Sequence, residues 1–462
     1  MIVFILSLFI VNSVIAFPTP DTFDSTYFEL EEIIHSETIK GKLKNATSAL
    51  NTKLVNNILS DYENKISDDF IIPKYFDPSV RFWFSIYTQY NSKQVVIHDK
   101  GNLSLVYHVI DFDQLHQSKI HRFAKSKLQT QLSLEYTRGL KKSLHTLSTK
   151  SFKKLSDQDM VTIKQIRAAG IKVPANKKKR KKFFLGLARN IRTQTGQRDM
   201  VYQGVIRSLP YQPFLNAQVD NFKLPRELLA ISFLESSFNP KAISKVAASG
   251  VWQFMPYIGN LFLPRMDKSV DYRQNPIIST LGALHLLKQN KMILKRWDLA
   301  VPAYNSGTKH LVRARKKFRK KKDFSLAYVL QNYKHAHIGF ASQNFYSSFL
   351  ALVHTLAYKD VIYPLKGLKT NLLFQNPNDI GVYVSKCPVR PNTFFKAMKS
   401  SKLYIKDINS HFNYKNKVFP KGTLFVSDIK LTSKRYYKLS NKELTKVFPK
   451  KYSRFSRNYK CR

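Results

Sequence analysis

A single carboxylate stands at the end of an apolar stretch of this chain, and amide, hydroxyl and aromatic groups follow it. Glu235 precedes Ser236-Ser237-Phe238-Asn239-Pro240 and, within about twenty residues, Gly250-Val251-Trp252-Gln253-Phe254-Met255-Pro256. A further segment, Ala303-Tyr304-Asn305-Ser306-Gly307, lies downstream. Groups of these types hold sugars, and cleaving a glycosidic bond needs a proton donor for the leaving oxygen. Glu235 can be that donor near neutral pH if burial raises its pKa.

Several short motifs occur together over about seventy residues, and their combination is specific. They are Glu235-Ser236, Phe238-Asn239-Pro240, Ala242-Ile243-Ser244, Gly250–Pro256 and Ala303-Tyr304-Asn305. In this order they resemble the catalytic segment of lytic transglycosylases of the soluble-lytic-transglycosylase type, which are lysozyme-like enzymes that cut peptidoglycan. Trp252 within Gly-x-Trp-Gln-Phe-Met-Pro is typical of the membrane-bound lytic transglycosylase D type. The clear resemblance covers about residues 200 to 355.

The resemblance implies a role for each matching residue. Glu235 matches the catalytic acid and base of the family. Ser244 and Gln253 match polar residues that line the sugar subsites, and Met255 matches a residue beside the cleft. Tyr304 matches a residue that forms hydrogen bonds near the glutamate, and Asn305 belongs to the same motif. We therefore expect these residues to be catalytic (Glu235) and substrate-binding (Ser244, Gln253, Met255, Tyr304, Asn305).

The segment from Glu235 to Gly250 contains no second acid, although most glycosidases use two carboxylates. The substrate's own 2-acetamido group can meet the oxocarbenium-like charge, and the C6 hydroxyl of the same sugar can then attack in place of water. Glu235 would act first as acid and then as base, and the product would be a 1,6-anhydro sugar. The next acids are Asp267 and Asp271, so hydrolysis in which Asp271 aids a water molecule stays open.

Two motifs depart from the family pattern. The usual Gly-Ala-x-Gly is Ala247-Ala248-Ser249-Gly250 here, which puts the geometry of that loop in question. Asp271–Pro276 resembles Asp-x-Arg-x-Asp-Pro, with Asn275 replacing an acid. Neither change touches the proposed chemistry.

Helices must position these groups. Leu224-Pro225-Arg226-Glu227 is typical of a helix start, because proline at the first turn lacks only an N–H that would be unsatisfied anyway. Leu228, Ile231 and Glu235 then share one face, so the carboxylate points where the apolar side chains point. Leucines at 281, 284 and 287 predict a second, buried helix.

The fold class expected is mainly α, with a lysozyme-like helical catalytic domain, a mixed α/β N-terminal region and a small C-terminal α+β module. The domains predicted are a signal peptide (1–16), an N-terminal basic accessory region (17–199), the lytic transglycosylase catalytic domain (200–360) and a C-terminal module (361–462). Two β-rich runs around Asp99–Asn102 predict a hairpin between Gln94 and Tyr107.

The C-terminal module contains three short runs of β or mixed type, at 382–384, 403–405 and 423–426. Residues about 380 to 430 weakly resemble the glycan-binding LysM-like tail of the subgroup, and a purely structural appendage is equally open. Cys387 and Cys461 are the only cysteines, and a pair in an exported protein suggests one disulfide. Two unpaired thiols remain the alternative.

The chain carries 77 lysines and arginines against 30 acids, a net charge of +47, so its surface must attract polyanions. Two basic runs stand out, Asn176–Lys182 and Arg313–Lys322. The first is either a solvated linker or helix face or a dedicated polyanion contact. We expect peptidoglycan glycan strands and anionic cell-envelope polymers as partners, and no specific nucleic acid. A catalytically silent wall-binding scaffold and a general polyanion-binding protein stay open as alternatives.

The first sixteen residues, Met1 to Ala16, are apolar and end in Val14-Ile15-Ala16, which suits signal peptidase. The interpretation is a secretory signal and a periplasmic or secreted location, with membrane association only through an uncleaved signal. No phosphate-binding loop occurs, and His335-Ala336-His337 has no nearby acid or cysteine at metal spacing. We therefore expect no metal and no cofactor.

Overall fold

A computed structural model describes residues 50–151, 155–264, 266–322, 324–333, 340–365, 379–398 and 401–446. The predicted signal peptide, His335–His337 and Cys461 lie outside these residues. The described chain is mainly α, with two three-stranded sheets, which confirms the expected fold class. None of its helices is both long enough and apolar enough to cross a membrane.

The described residues form two compact units. The N-terminal unit contains residues 50–62 and 72–200, and the C-terminal unit contains Glu63–Ile71 and the chain from Val201 onward. The N-terminal unit comprises α1 (Thr52–Leu59), α2 (Asp77–Thr88), β1 (Gln94–Asp99), β2 (Val106–Asp111), α3 (Asp113–Gln117), α4 (Arg122–Thr149), α5 (Asp157–Ala168), α6 (Lys177–Asn190), β3 (Ile191–Thr195) and the start of α7 (Arg198–Ser208).

The hairpin expected from the sequence is present in the N-terminal unit. Strands β1 and β2 pair antiparallel, and β3 pairs antiparallel with the other edge of β1. The second strand starts at Val106, three residues later than the β-rich run suggests. The reason is the turn, in which the Asp99 carboxylate accepts hydrogen bonds from the backbone N–H groups of Gly101 (2.7 Å) and Asn102 (2.8 Å).

The core of the N-terminal unit lies between this sheet and the long helices. Helix α4 packs on α6 and presents an apolar stripe that includes Leu128, Leu132 and Leu144. Phe184 of α6 is fully buried in the same cluster. Asn176 caps the start of α6, because its side chain accepts a hydrogen bond from the N–H of Lys179.

The C-terminal unit contains the remaining elements. They are most of α7, α8 (Gln212–Phe222), α9 (Ala230–Ser236), α10 (Pro256–Phe262), α11 (Pro276–Leu294), α12 (Trp297–Ala300), α13 (Pro302–Ser306), α14 (Thr308–Lys317), α15 (Leu326–Asn332), α16 (Phe340–Ala357), α17 (Lys359–Ile362), β4 (Gly381–Ser385), α18 (Pro391–Met398), α19 (Lys402–Ile408), β5 (Leu424–Ser427), β6 (Tyr436–Lys438) and α20 (Asn441–Lys446). Short 3₁₀ turns occupy Asp68–Phe70, Leu209–Tyr211, Arg226–Leu229 and Tyr272–Gln274.

Helix α16 forms the centre of the C-terminal unit. Every residue from 344 to 355 is buried, as expected of a helix that is surrounded by protein on all sides. The two helices that carry the motif residues, α9 and α13, both pack on it. A rigid central helix therefore supports both of them.

The nine-residue segment Glu63–Ile71 also belongs to the C-terminal unit. Phe70 is fully buried, with its ring 6.2 Å from Trp297 and 5.3 Å from Phe349. The N–H of Ser67 donates to the carboxylate of Glu227 at 2.8 Å. The segment thus supplies part of the core of a unit that is otherwise built from residues beyond 200.

In the C-terminal sheet, β4 pairs with β5 on one side and β6 on the other. Two of the three runs noted in the sequence are strands, but the run at 403–405 lies in α19. This helix starts there because Ser401 caps it by accepting a hydrogen bond from the N–H of Tyr404. Cys387 is buried and disulfide-bonded, and the pairing with Cys461 falls on a residue outside the described chain.

The replacement of an acid by Asn275 has a structural reason. The Asn275 Oδ1 caps α11, since it accepts from the N–H groups of Ile277 and Ile278, both at 3.0 Å. Its amide nitrogen donates to the carbonyl of Ile408 and lies 3.0 Å from the Nδ1 of His411. An aspartate would cap the helix equally well but has no N–H to donate. Asn275 therefore joins the start of α11 to the sheet-bearing C-terminal part of the same unit.

Candidate active site

Glu235 lies one residue before the end of α9. The helix follows the 3₁₀ turn at Arg226–Leu229, and Leu228 and Ile231 are completely buried on the face that Glu235 shares. The Glu235 side chain itself is half-buried. The apolar placement that the sequence predicts for this carboxylate is therefore present.

Backbone strain is concentrated directly after Glu235. Four of the eight non-glycine residues with positive φ in the described chain are Ser237 (50°), Phe238 (53°), Ala247 (63°) and Gln253 (46°). Residues other than glycine rarely adopt a positive φ, and such backbone strain persists only where the surrounding structure enforces it. The turn that ends α9 and the loop up to Gln253 are held in place by specific contacts.

Arg207 of α7 holds the first strained turn. Its guanidinium donates to the carbonyl of Ser237 at 2.6 Å and to that of Phe238 at 3.2 Å. The Phe238 ring is buried against Tyr211 and Phe233, with centroids 5.7 Å away in both cases. Burial lowers the pKa of Arg207, yet the group stays charged at any physiological pH.

Ser236 joins the end of α9 to the loop that follows it, residues 237–254, which we name the motif loop. Its hydroxyl donates to the carbonyl of Val251 at 2.9 Å and accepts from the N–H of Asn239 at 3.0 Å. The serine that follows the glutamate in the motif thus sets the position of the loop against the helix.

Gly250 brings the loop against the backbone of Arg273. It has a φ of +78°, and a Cβ atom built there would lie 1.7 Å from the Arg273 carbonyl oxygen. Any side chain at this position would have to displace backbone. The glycine is therefore required by close approach as well as by conformation.

Arg273 and Asp271 form a clamp on this loop. The Arg273 guanidinium donates to the carbonyls of Ala247 (2.7 Å) and Phe254 (3.1 Å). It also forms a two-pronged ion pair with Asp271, at 2.9 Å from Nε and 2.8 Å from Nη2. The loop from 247 to 254 is therefore fixed from both of its ends by one side chain, even though its first residue is alanine where the family has glycine.

Gln253 and Ser244 both make hydrogen bonds within the motif loop. The Gln253 amide nitrogen donates to the carbonyls of Ala242 (3.1 Å) and Gly250 (2.8 Å). The Ser244 hydroxyl accepts from the N–H groups of Val246 (3.3 Å) and Ala248 (3.0 Å). Both side chains shape the loop, and their contact with substrate stays a prediction.

Tyr304 of α13 lies against the same loop. Its hydroxyl donates to the carbonyl of Trp252 at 2.7 Å, and its ring lies 6.0 Å from that of Trp252 and 6.2 Å from that of Phe254. Asn305 is half-buried beside it and makes no side-chain hydrogen bond to any described residue. Met255 is half-buried at the residue before α10.

The electrostatics single out Glu235. Burial alone raises its pKa from the ordinary 4.5 to about 8. Among the described residues, no hydrogen bond or ion pair reaches its carboxylate. The pKa of Tyr304 is raised well above 10. Burial is the main cause, and the nearby charge of Glu235 adds to the rise. Glu235 is consequently protonated at neutral pH, close to a tyrosine that stays neutral.

Sequence reasoning did not assign a role to Arg207 or Arg273, although both hold the site in shape. The signal for Arg273 was present, because its Asp-x-Arg spacing places both ends of the ion pair on one turn. For Arg207 no local pattern exists, since its targets are 30 and 31 residues away.

The comparison with known proteins concerns this same part of the chain. Residues 212–326 match the Transglycosylase SLT domain family. Two relatives are "Membrane-bound lytic murein transglycosylase D" of Escherichia coli strains K12 and O6:H1, each 34% identical over 110 residues, covering 24% of this chain and 24% of the relative. A third is the "Putative tributyltin chloride resistance protein" of Alteromonas sp. (strain M-1), 35% identical over 109 residues, 23% of this chain and 53% of the relative.

The shared region is thus about a quarter of the length of the Escherichia coli relatives. The residues that match the family, 212–326, include α9, the motif loop and α13. Residues 212–326 therefore carry a transglycosylase SLT domain, and this chain is similar there to lytic murein transglycosylases.

Proposed function

We propose that this protein is an exported peptidoglycan lytic transglycosylase that cleaves the MurNAc–GlcNAc β-1,4 bond without water and leaves 1,6-anhydromuramic ends. The observation that supports the proposal most directly is the state of Glu235. It is a desolvated carboxylate with a pKa raised to about 8 and no partner among the described residues. Such a group is protonated at neutral pH and free to give its proton to a substrate.

The reaction follows from a single acid. Glu235 donates its proton to the glycosidic oxygen, the bond to C1 breaks, and the leaving sugar departs as an alcohol. The substrate's 2-acetamido group stabilises the positive charge left at C1. The ionised Glu235 then accepts the proton of the C6 hydroxyl as that oxygen bonds to C1. The enzyme ends in its starting state, and no water is consumed.

The hydrolytic alternative needs a second carboxylate to activate water, and Asp271 is the candidate from sequence. Its oxygens accept hydrogen bonds from the Arg273 side chain and from the Arg273 N–H. Both carboxylate oxygens of Asp271 are therefore already engaged by the Arg273 guanidinium. This favours the intramolecular route over attack by water.

The remaining motif residues fit supporting roles in this proposal. Asn305 and Met255 are half-buried beside the motif loop and are assigned to substrate contact. Ser244 and Gln253 would present the loop backbone to the sugar as well as their own oxygens. Tyr304 would orient the loop at Trp252 while remaining un-ionised beside Glu235.

The proposal extends to location and partners. A periplasmic or secreted protein with a net charge of +47 would concentrate on anionic envelope polymers and on peptidoglycan, more strongly at low salt. The C-terminal sheet with its two intervening helices would then serve as the wall-binding module. The catalytic domain at 200–360 and the accessory region at 17–199 are parts of the same proposal.

The test is the end group of the product. Purified protein is incubated with isolated sacculi, and the soluble fragments are analysed by mass spectrometry. Anhydro-ended muropeptides, lighter by one water than hydrolysis products, are expected. Reducing ends would establish hydrolysis instead. Binding to sacculi without any released fragment would support a silent scaffold and contradict the proposal.

A further inference from the structure

One charged surface of the C-terminal unit is not used by the chemistry described so far. Residues Lys309–Lys322, which we name the α14 basic block, contain nine lysines and arginines and no acid. All nine are exposed: Lys309, Arg313, Arg315, Lys316, Lys317, Arg319, Lys320, Lys321 and Lys322. None of them takes part in an ion pair with any described residue.

Helix stability explains only part of this pattern. Arg315, Lys316 and Lys317 lie in the last turn of α14, where cations interact favourably with the helix dipole. The remaining cations gain nothing from that dipole, and like charges this close repel one another. The concentration of charge costs stability unless an anionic partner offsets it.

Aromatic rings hold part of the block in place. The ammonium group of Lys317 lies 5.7 Å from the ring of Tyr333, and that of Lys321 lies 5.4 Å from the ring of Tyr328. Phe318 packs edge-on against Tyr328 with centroids 5.3 Å apart. The turn after α14 is therefore packed against α15 and the residue that follows it, which fixes the position of Lys317 and Lys321.

The block begins where the candidate site ends. Tyr304 and Asn305 lie on α13, Gly307 separates the two helices, and α14 starts at Thr308. At 1.5 Å per residue, Arg313 to Lys317 lie roughly 9–15 Å along the axis from Gly307. Helices α13 and α14 also pack on each other. The block therefore continues directly from the helix that carries Tyr304 and Asn305.

We propose that the α14 basic block is a substrate subsite that binds the carboxylates of the peptides attached to the glycan strand being cut. This inference rests on the proposed function, because it assigns a further part of the same substrate. Peptide carboxylates recur along the strand and are opposite in charge to this cluster of exposed cations. The block therefore favours strands that still carry their peptides over bare glycan.

The chain supplies its own control. The N-terminal unit carries a second basic run on α6, with Lys177, Lys178, Lys179, Lys181 and Lys182 all exposed. Replacing these five lysines by glutamine removes the same charge as replacing Arg313, Arg315, Lys316, Arg319 and Lys320. Both variants would weaken a general electrostatic attraction to a polyanion to a similar degree. Only the α14 variant would weaken binding at a subsite formed by the α14 basic block.

The experiment measures kcat and KM of the wild type and both five-fold variants on two soluble substrates. One is uncross-linked glycan strands with their peptides, and the other is the same strands after an amidase has removed the peptides. For the α14 variant we expect KM on the peptide-bearing strands to rise about tenfold with kcat little changed. On bare strands, its KM should match that of the wild type.

Other results would overturn the inference. One is an equal rise in KM for both substrates, which would indicate another anionic polymer or a general effect. A second is an equal loss in the α6 variant, and a third is an unchanged KM in the α14 variant. Circular dichroism and melting temperatures of the variants establish that they are folded. If the wild type cleaves neither substrate, the proposed function itself fails, and this outcome is distinct from the others.

Discussion

Glu235 and Asp271 are two carboxylates of the same unit with opposite surroundings. Glu235 is desolvated, has no partner among the described residues and follows an apolar helix face. Asp271 is held by the side chain and the backbone of Arg273. Burial raises the pKa of Glu235, so that this group holds a proton at neutral pH. Asp271 instead accepts hydrogen bonds that fix its position.

Under the proposed function, this difference separates the residue that does the chemistry from the residues that support it. Leaving a carboxylate unpaired costs stability, and the structure does so at one acid of the site. Two arginines hold the strained loop. Arg273 is paired with Asp271, and Arg207 donates to backbone carbonyls. The following predictions test whether the two roles can be separated experimentally.

Removing the proposed proton donor should have the largest effect. In Glu235→Gln, the amide has the shape of the protonated acid but cannot transfer its proton, so release of fragments from sacculi should fall by about 10³-fold or more. The melting temperature near pH 6.5 should stay close to that of the wild type. Full activity in this folded variant would show that the proton comes from elsewhere.

The same group should make stability depend on pH. Because burial raises the pKa of Glu235 from 4.5 to about 8, the folded protein binds more protons than the unfolded chain between these values. This contribution to stability is present below pH 4.5 and is lost as the pH rises to 8, on the order of a few kcal/mol.

Denaturant unfolding of the wild type and Glu235→Gln across pH 4.5 to 9 measures this directly. The variant should be relatively more stable at the alkaline end, and activity of the wild type should decline above about pH 8. Parallel stability curves for the two proteins would mean that the carboxylate is not desolvated.

Breaking the clamp should harm both structure and activity. Arg273→Met leaves Asp271 and the carbonyls of Ala247 and Phe254 without their donor, at a cost of about 2–3 kcal/mol. Activity should fall at least tenfold, because the motif loop loses its anchor. Asp271→Asn keeps the arginine and should cost less in both measures. An Asp271 variant that loses as much activity as Glu235→Gln would argue for a direct chemical role.

The smallest effect is expected at Tyr304. Tyr304→Phe removes only the hydrogen bond to the carbonyl of Trp252, worth about 1 kcal/mol, and keeps the ring contacts. We expect less than a tenfold loss in kcat and an unchanged alkaline limb of the pH profile. A shift of that limb would show that the tyrosine hydroxyl interacts with Glu235 during the reaction.

Local patterns predicted the placement of Glu235 better than the contacts that support the loop beside it. The three- and seven-residue spacing of Leu228, Ile231 and Glu235 places the acid on an apolar face because helix geometry is local. The hairpin at β1 and β2 is local in the same sense. The mainly helical fold follows from such periodicity together with the motif resemblance.

What could not be predicted depends on contacts between distant residues. Strand β3 begins 97 residues after β1 begins (191 − 94), and nothing in its own sequence selects that edge of the sheet. Arg207 reaches carbonyls 30 and 31 residues away. The amide of Asn275 binds Ile408, 133 residues further along, so its departure from the family pattern has no explanation until the fold is known.

The placement of Phe70 also has a consequence for biogenesis. Its ring packs on Trp297 and Phe349, which the ribosome adds more than two hundred residues later. Since domains usually fold as they emerge, this short stretch must wait with its aromatic ring unburied while most of the polypeptide is made. A fragment that starts near residue 200 would lack it altogether, and would expose to water the patch on Trp297 and Phe349 that this ring covers.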